Sequence, residues 1–148
     1  MLHLHNIESG YGAGQVLFGV SLSVNAGHVV SLMGRNGVGK TTTIRVIMGQ
    51  LPLTAGRISR FGDDQPDQMP FQIARLGIGL VPEGRQIFSN LDVTENLKTF
   101  YRPPRDNGGS HWHHKRVFEL FPRLAERRHH AGNLLSGGEQ QMLAIGRA

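Results

Sequence analysis

The sequence predicts an α/β fold that has an antiparallel β subdomain at its start and a smaller helical subdomain inserted later. Two observations predict this class. Segments in which apolar and polar residues alternate, a pattern typical of half-exposed strands, dominate the start of the chain. Helical candidates separated by a Pro- and Gly-rich stretch, "PPRDNGGS", occupy the region from Gln86 to about His130. We interpret that stretch as a flexible loop.

The elements follow in a consistent order. The predicted strands are "LHLHNI", "FGVSLSV", "HVVSLM", "GRISRFG" and "GIGLVPE", at residues 2–7, 18–24, 28–33, 56–62 and 77–83. The predicted helices are "KTTTIRVIMGQ", "MPFQIARL", "TENLKTFYR" and "WHHKRVFELF", at residues 40–50, 69–76, 94–102 and 112–121. Pro52 and the segment after it end the first helix, because proline cannot continue one.

Composition narrows the class of protein. With 39% hydrophobic and 18% charged residues the chain is typical of a soluble globular protein, and no apolar run is long enough to span a bilayer. The 148 residues contain no cysteine, which excludes disulfides and thiolate metal sites. The start, "MLHLHNIESG", lacks the features of a signal peptide. From these features we expect a cytoplasmic protein. The net charge of +5 is spread along the chain, and we interpret it as a solvated basic surface with one anion site.

A phosphate-binding loop is the strongest local signal. Residues 34–41, "GRNGVGKT", match G-x-x-x-x-G-K-S/T between a predicted strand and a predicted helix, the context that this motif requires. Glycines let the backbone turn several N–H groups toward one anion, and the helix start adds its positive dipole end. Lys40 reaches the β and γ phosphates, Thr41 binds Mg²⁺, and Thr42 supplies a hydroxyl for the α-phosphate. The predicted phosphate-binding residues here are Gly34, Arg35, Asn36, Gly37, Val38, Gly39, Lys40, Thr41 and Thr42; the alternative is a Gly-rich turn that binds nothing.

A second anion site is predicted at "LSGGEQQ", residues 135–141. Ser136 and Glu139 have the S-x-x-E spacing of a capping box, which opens a helix. Gly137 and Gly138 leave the backbone amides bare, so that the helix end can hold an anion. The alternative is an ordinary capped helix.

Together these motifs resemble the ATP-binding subunits of ABC transporters over the whole chain. "LSGGEQQ" resembles the signature motif of that family, which faces the γ-phosphate held by the partner subunit. The resemblance therefore implies a head-to-tail dimer with composite sites that include Ser136, Gly137, Gly138 and Glu139. In "GYG", Tyr11 corresponds to the adenine-stacking aromatic residue of the family, and Val16 is expected to line the same adenine pocket.

The stretch "GIGLVPEGRQIFSNLDVTENL" is similar to the ATPases of branched-chain amino acid importers. Most family members have Gln where this chain has Glu83, and that position touches Mg²⁺ and the attacking water. A carboxylate can bind Mg²⁺ through an oxygen, but it adds a charge that Gln lacks. The resemblance thus implies catalytic roles for Lys40 and Glu83 and Mg²⁺ ligation by Thr41 and Glu83.

The resemblance also implies an organisation and a set of partners. We expect the nucleotide-binding core with its β subdomain at 1–85, the helical subdomain at 86–135, and the signature motif with the start of its helix at 136–148. The helical stretch would form a groove for two membrane permease subunits, with a substrate-binding protein as indirect partner. The subunit would then lie peripherally on the inner face of the cell membrane and contact no nucleic acid.

The function that the resemblance implies is that of the energy-coupling ATPase of an importer for branched-chain or other hydrophobic amino acids, in which ATP binding and hydrolysis drive transport. Three other functions are compatible with the motifs. The ATPases of urea and short-amide importers have a similar start and loop. ABC ATPases of DNA repair would use the basic charge, but they carry long coiled coils or Cys-rich modules, and only about fifty residues separate Glu83 from Ser136. A nucleotide-binding fragment without turnover is the third, because no acidic residue here follows a strand of four apolar residues, as the family's general base does. We therefore expect no sustained turnover from residues 1–148 alone, and a further strand beside "HVVSLM" in the complete subunit.

Overall fold

The computed structural model describes residues 1–62, 64, 68–101 and 112–148, which form two compact units, 1–78 and 79–148. The predicted loop "PPRDNGGS" lies outside the described residues. Within the described ranges no helix is both long enough and apolar enough to cross a membrane. The three-part division at residues 85 and 135 stays a prediction.

The first unit contains an antiparallel three-stranded sheet. Its strands are β1 (Leu2–Tyr11), β2 (Gly14–Val24) and β3 (Ala55–Arg60), in the order β2-β1-β3. Leu4 is opposite Leu22 on one side and Ile58 on the other, so apolar side chains meet across the sheet. The antiparallel β subdomain predicted from the alternating pattern is confirmed.

Two helices complete this unit, α1 (Lys40–Ile47) and α2 (Pro70–Arg75). Side chains of α1 pack on the sheet, and the buried core consists of Leu4, Ile7, Leu17, Val46, Ile47 and Ile58. Arg60, which is 1% exposed, donates from Nε to the Ile47 carbonyl oxygen at 3.0 Å and from Nη2 to that of Val46 at 3.3 Å. A buried cation therefore satisfies carbonyl groups at the C-terminal end of α1, where helices lack intrahelical partners.

Two predicted strands differ from the structure. Residues 28–33 and 77–83 have no strand assignment, and Val29 and Met33 are 99% and 85% exposed. The apolar character of "HVVSLM" predicts a buried strand, but a strand also needs a neighbour to take its N–H and C=O groups. Among the described residues, the three-stranded sheet contains no strand that pairs with either segment.

The second unit is helical. It contains α3 (Val93–Phe100), α4 (His114–Leu120), α5 (Pro122–Glu126), a 3₁₀ turn (Gly132–Leu134) and α6 (Gly137–Arg147). Its apolar core is formed by Val93, Leu97, Val117, Leu124, Leu135 and Leu143. The sequence predicted helices at α3 and α4 and a helix opening at Ser136. It did not predict α5, which begins at Pro122 directly after α4.

Candidate nucleotide site

The phosphate loop leads directly into α1. Gly34, Gly37 and Gly39 have φ values of 156°, 84° and 97°, and Gly39 is the left-handed residue that precedes the helix. A Cβ at Gly39 would lie 2.7 Å from Leu17 Cδ2, so only glycine allows the loop to rest on β2 at this point. The loop residues 34–38 are exposed, which leaves this backbone accessible to an anion.

Lys40 folds back over the loop. Its Nζ donates to the Gly34 carbonyl oxygen at 2.8 Å and to that of Arg35 at 2.7 Å. The first N–H groups of a helix have no intrahelical acceptor. The ammonium group and the start of α1 thus form one cationic pocket in the loop, a donor set that suits the phosphates of ATP. Thr41, the predicted Mg²⁺ ligand, is exposed in this first turn.

The threonines of α1 have different environments. Thr42 is buried, and its hydroxyl hydrogen-bonds the Tyr11 side chain. Thr43 donates from Oγ1 to the Gly39 carbonyl oxygen at 2.9 Å, which fixes the left-handed residue to the helix. The role of Thr42 at the α-phosphate stays a prediction. The hydrogen bond between Thr42 and Tyr11 was not predicted from the sequence.

Tyr11 and Val16 lie on the β1–β2 hairpin, beside the phosphate loop. The Tyr11 ring is 44% exposed, and its hydroxyl accepts a hydrogen bond from Arg45 Nη1 at 3.1 Å. Hydrogen bonding from Thr42, and then the Arg45 cation, lower the pKa of the Tyr11 phenol below its ordinary value. Val16 Cγ1 would lie 3.5 Å from a Cβ at Gly39, so Val16 lines the end of the loop.

The second unit carries the remaining predicted residues. Ser136 caps α6: its hydroxyl accepts from the Glu139 N–H at 3.3 Å, while Glu139 Oε2 accepts from the Ser136 N–H at 2.8 Å. The predicted capping box is therefore present. The Ser136 backbone and hydroxyl, and then the Arg127 cation, lower the pKa of the Glu139 carboxyl. Gly137 and Gly138 are exposed at the same helix start, as an anion site requires.

An arginine that the sequence did not predict as a site residue lies next to this helix start. Arg85 Nη1 donates to Gln140 Oε1 at 3.1 Å, and its Nη2 would lie 3.3 Å from a Cβ at Gly137. The only signal in the sequence was its position in "VPEGRQIF". Glu83, two residues earlier, is exposed in the same unit; its assignment as a Mg²⁺ ligand stays a prediction.

Known proteins similar to this chain share both sequence and fold. The family described as ABC transporter matches residues 17–148. The chain is 41% identical to the high-affinity branched-chain amino acid transport ATP-binding protein BraG of Pseudomonas aeruginosa, covering 100% of this chain and 63% of the relative. It is 37% identical to the lipopolysaccharide export system ATP-binding protein LptB of Escherichia coli, covering 97% of this chain and 60% of the relative.

Comparison with a solved structure shows the same family fold. The dimeric structure of a bacterial ABC transporter cassette matches 99% of this chain and 68% of its own, with a TM-score of 0.77 and 27% identity. The chain thus spans about three fifths of the length of the curated relatives that it matches. The predicted α/β cassette fold with its antiparallel sheet is confirmed.

Proposed function

The chain belongs to the ABC transporter family, and on that premise we propose that the protein is the ATP-binding, energy-coupling subunit of a membrane transporter. The observation that carries this proposal is the Lys40 ammonium held over the Gly34 and Arg35 carbonyl groups at the start of α1. Such a pocket binds the triphosphate of ATP through backbone amides and one full positive charge.

The remaining residues have complementary roles in the proposed site. Tyr11 stacks on the adenine, with Val16 at the edge of the base, and the Thr41 hydroxyl and Glu83 carboxylate bind Mg²⁺. Ser136 to Glu139 contact the γ-phosphate held by a second subunit, in a head-to-tail dimer. The dimeric cassette among the solved relatives supports this arrangement. ATP closes the dimer, and hydrolysis reopens it.

The transported solute that we propose is a branched-chain or other hydrophobic amino acid. The similarity to BraG supports this choice. Two membrane permease subunits and an extracytoplasmic binding protein complete the proposed importer, and the ATPase lies on the inner face of the membrane. The second candidate is a subunit of an export system, which the similarity to LptB favours.

Uptake in the host organism tests the solute. Deletion of the gene is expected to abolish high-affinity uptake of radiolabelled leucine, and the wild-type gene is expected to restore it. Lys40→Ala is expected not to restore it, whereas Arg75→Gln, at an exposed arginine of α2 that contacts Phe71, serves as the matched control and does. Normal leucine uptake in the deletion strain together with a defect in the outer membrane would favour the export system.

Calorimetry on the full-length protein tests the site separately. Lys40→Ala removes the ammonium group at the start of α1, and we expect a loss of ATP affinity of about tenfold or more, since hydrogen bonds to charged groups contribute about 1.5–3 kcal/mol. Unchanged affinity would reject the assignment of the loop.

A further inference from the structure

Tyr11 has little support from its own strand. It is the last residue of β1, and glycines stand on both sides of it, Gly10 and Gly12. The hairpin residues 8–15 and the segment Leu51–Thr54 border an open cleft of about 630 Å³, and Tyr11 lines it. The ring is therefore unpacked on the side of the cleft. Holding an exposed ring in one orientation costs conformational entropy, which a favourable contact with the ring must offset.

The contact that fixes the ring comes from α1. Arg45 Nη1 lies 3.1 Å from the Tyr11 hydroxyl oxygen, and the guanidinium carbon lies 5.9 Å from the ring centroid. Both values fall within the ranges of a hydrogen bond and a cation–π contact. Residues three apart on a helix are neighbours, so Thr42 and Arg45 approach the phenol from one face of α1.

The lowered pKa of the Tyr11 phenol agrees with this geometry, because Thr42 and Arg45 both stabilise the oxygen as an acceptor. Arg45 also lies five residues after Lys40, on the helix whose start holds the phosphate-binding residues. One short helix thus contacts Tyr11, which is predicted to bind the base, and begins at the loop that is predicted to bind the phosphates.

We propose that Arg45 is a positioning residue for base recognition: it ties the Tyr11 ring to α1, so that the stacking surface and the phosphate loop keep a fixed separation. This inference rests on the proposed ATP site. Arg45 is expected to contribute to binding of ATP through Tyr11 and to contribute nothing to binding of a phosphate chain that has no base.

The test compares ATP with inorganic tripolyphosphate as ligands of the full-length protein. Stacking on an aromatic ring stabilises a bound base, and a ring that is no longer held in place loses part of that stabilisation. Arg45→Gln is therefore expected to weaken ATP binding about threefold to tenfold, with less than a twofold change for tripolyphosphate. Tyr11→Phe, which keeps the ring and loses the hydroxyl, is expected to have the same effect. The double variant should be no weaker than the weaker single variant, because both substitutions remove the hydrogen bond between Arg45 and the Tyr11 hydroxyl.

Arg75→Gln is the matched control, since its guanidinium lies 5.4 Å from the Phe71 ring instead; it should change neither affinity. Arg45→Lys keeps a donor and is expected to recover part of the ATP affinity. Spectrophotometric titration, with Tyr11→Phe as the blank, should show that Arg45→Gln raises the pKa of the Tyr11 phenol.

Three results would overturn the inference. Equal losses for ATP and tripolyphosphate would mean that Arg45 acts on the phosphates or on the fold. Additive losses in the double variant would mean that Arg45 and Tyr11 act independently. An unaltered phenol titration in Arg45→Gln would mean that the contact is absent in solution. Failure of the unaltered protein to bind ATP is a different result, which would reject the proposed function itself.

Discussion

The guanidinium carbon of Arg147 lies 4.3 Å from the ring centroid of Phe100 and 5.2 Å from that of Phe88. The two rings stack on each other at 5.9 Å with an angle of 16°. Arg147 Nη1 also donates to the Gln86 carbonyl oxygen at 2.9 Å. The last turn of α6 therefore holds an aromatic pair, while its first turn carries Ser136 and Glu139. Burial lowers the pKa of Arg147, in agreement with this enclosed position.

Replacing Arg147 by methionine is expected to destabilise the helical unit by about 1–3 kcal/mol, because it removes a cation–π contact and a charged hydrogen bond. Arg147→Lys should retain less than half of the lost free energy of unfolding, since lysine lacks the planar group that lies over both rings. Urea unfolding of the full-length protein measures the change. Arg128→Met, at an exposed arginine of the same unit, is the control, and equal effects at the two positions would contradict the role of the aromatic pair.

Substitution of Asn96 is expected to destabilise the helical unit more than substitution at most other positions. The side chain is 0% exposed, and Oδ1 accepts from the Phe88 N–H at 2.9 Å. Nδ2 lies within reach of three carbonyl oxygens, those of Phe88, Leu91 and Asp92 at 2.9, 3.1 and 3.0 Å. Each of these oxygens also accepts from a backbone N–H, so that Asn96→Ala leaves the Phe88 N–H without its acceptor and removes a second donor from the three carbonyl groups. A loss of about 1–3 kcal/mol is expected.

The control for this position is Asn133→Ala, at an exposed asparagine, with an expected change within about 0.5 kcal/mol. Chemical denaturation measures both variants. A loss below about 1 kcal/mol for Asn96→Ala would mean that water replaces the amide in solution.

Asn96 also illustrates which features the sequence predicts and which it does not. The helix around it was predictable from "TENL", but an asparagine on a helix is usually solvated, and its burial depends on the loop that folds over it. Features that depend on a few neighbouring residues were predicted correctly: the phosphate loop precedes α1, and Ser136 with Glu139 forms the capping box. Contacts between distant segments, such as Arg45 with Tyr11 and Arg60 with the end of α1, leave no periodic signal.

The predicted strand at 28–33 failed for a related reason. Its apolar residues are typical of a buried strand, but a strand is defined by its neighbour, which a local pattern cannot supply. The alternating pattern of β1 and β2 predicted strands correctly, because a short hairpin turn, Gly12 and Ala13, lets the two strands pair with each other.

Gly39→Ala is expected to abolish high-affinity ATP binding. The residue has φ of 97°, and a Cβ there would lie 2.7 Å from Cδ2 of the buried Leu17, so the Leu17 side chain or the loop must shift. Gly27→Ala is the matched control, because it has φ of 72° but nothing within 4 Å of the added Cβ. Both variants carry backbone strain of about 1–2 kcal/mol, and only Gly39→Ala should lose affinity in calorimetry. Loss in both would point to a general effect of strain on folding.

Acid stability of the helical unit is expected to depend on Glu139. Its pKa is lower in the folded state than in the unfolded state, first because of its hydrogen bonds with Ser136. The stabilisation is therefore present above the unfolded pKa of about 4.3 and is lost as the pH falls through the lower folded pKa. Glu139→Gln should be less stable than the unaltered protein at pH 7, by about 0.3–1 kcal/mol, and the difference should shrink as the pH falls through the folded pKa.

Urea unfolding across this pH range measures the difference, with Glu119→Gln at an exposed carboxylate of α4 as the control. A constant difference between Glu139→Gln and the unaltered protein at all pH values would show that ionisation of Glu139 is not the cause.

The last prediction concerns the proposed contact with the permease. Phe88 and Phe100 are 39% and 46% exposed, although Arg147 holds their other sides. Aromatic residues that are rigid and still exposed are typical of interface anchors.

The 148 residues contain no cysteine, so that a single introduced cysteine can report which surface lies next to the permease. In the assembled transporter, Phe88→Cys and Leu91→Cys are expected to cross-link to a membrane subunit through a short thiol-reactive linker, whereas Gly62→Cys, in the other unit, should not. ATP-bound and nucleotide-free complexes are compared, because dimer closure is expected to change the yield at Phe88. Efficient capture from Gly62→Cys alone would place the permease on the β subdomain and reject residues 86–130 as the docking surface.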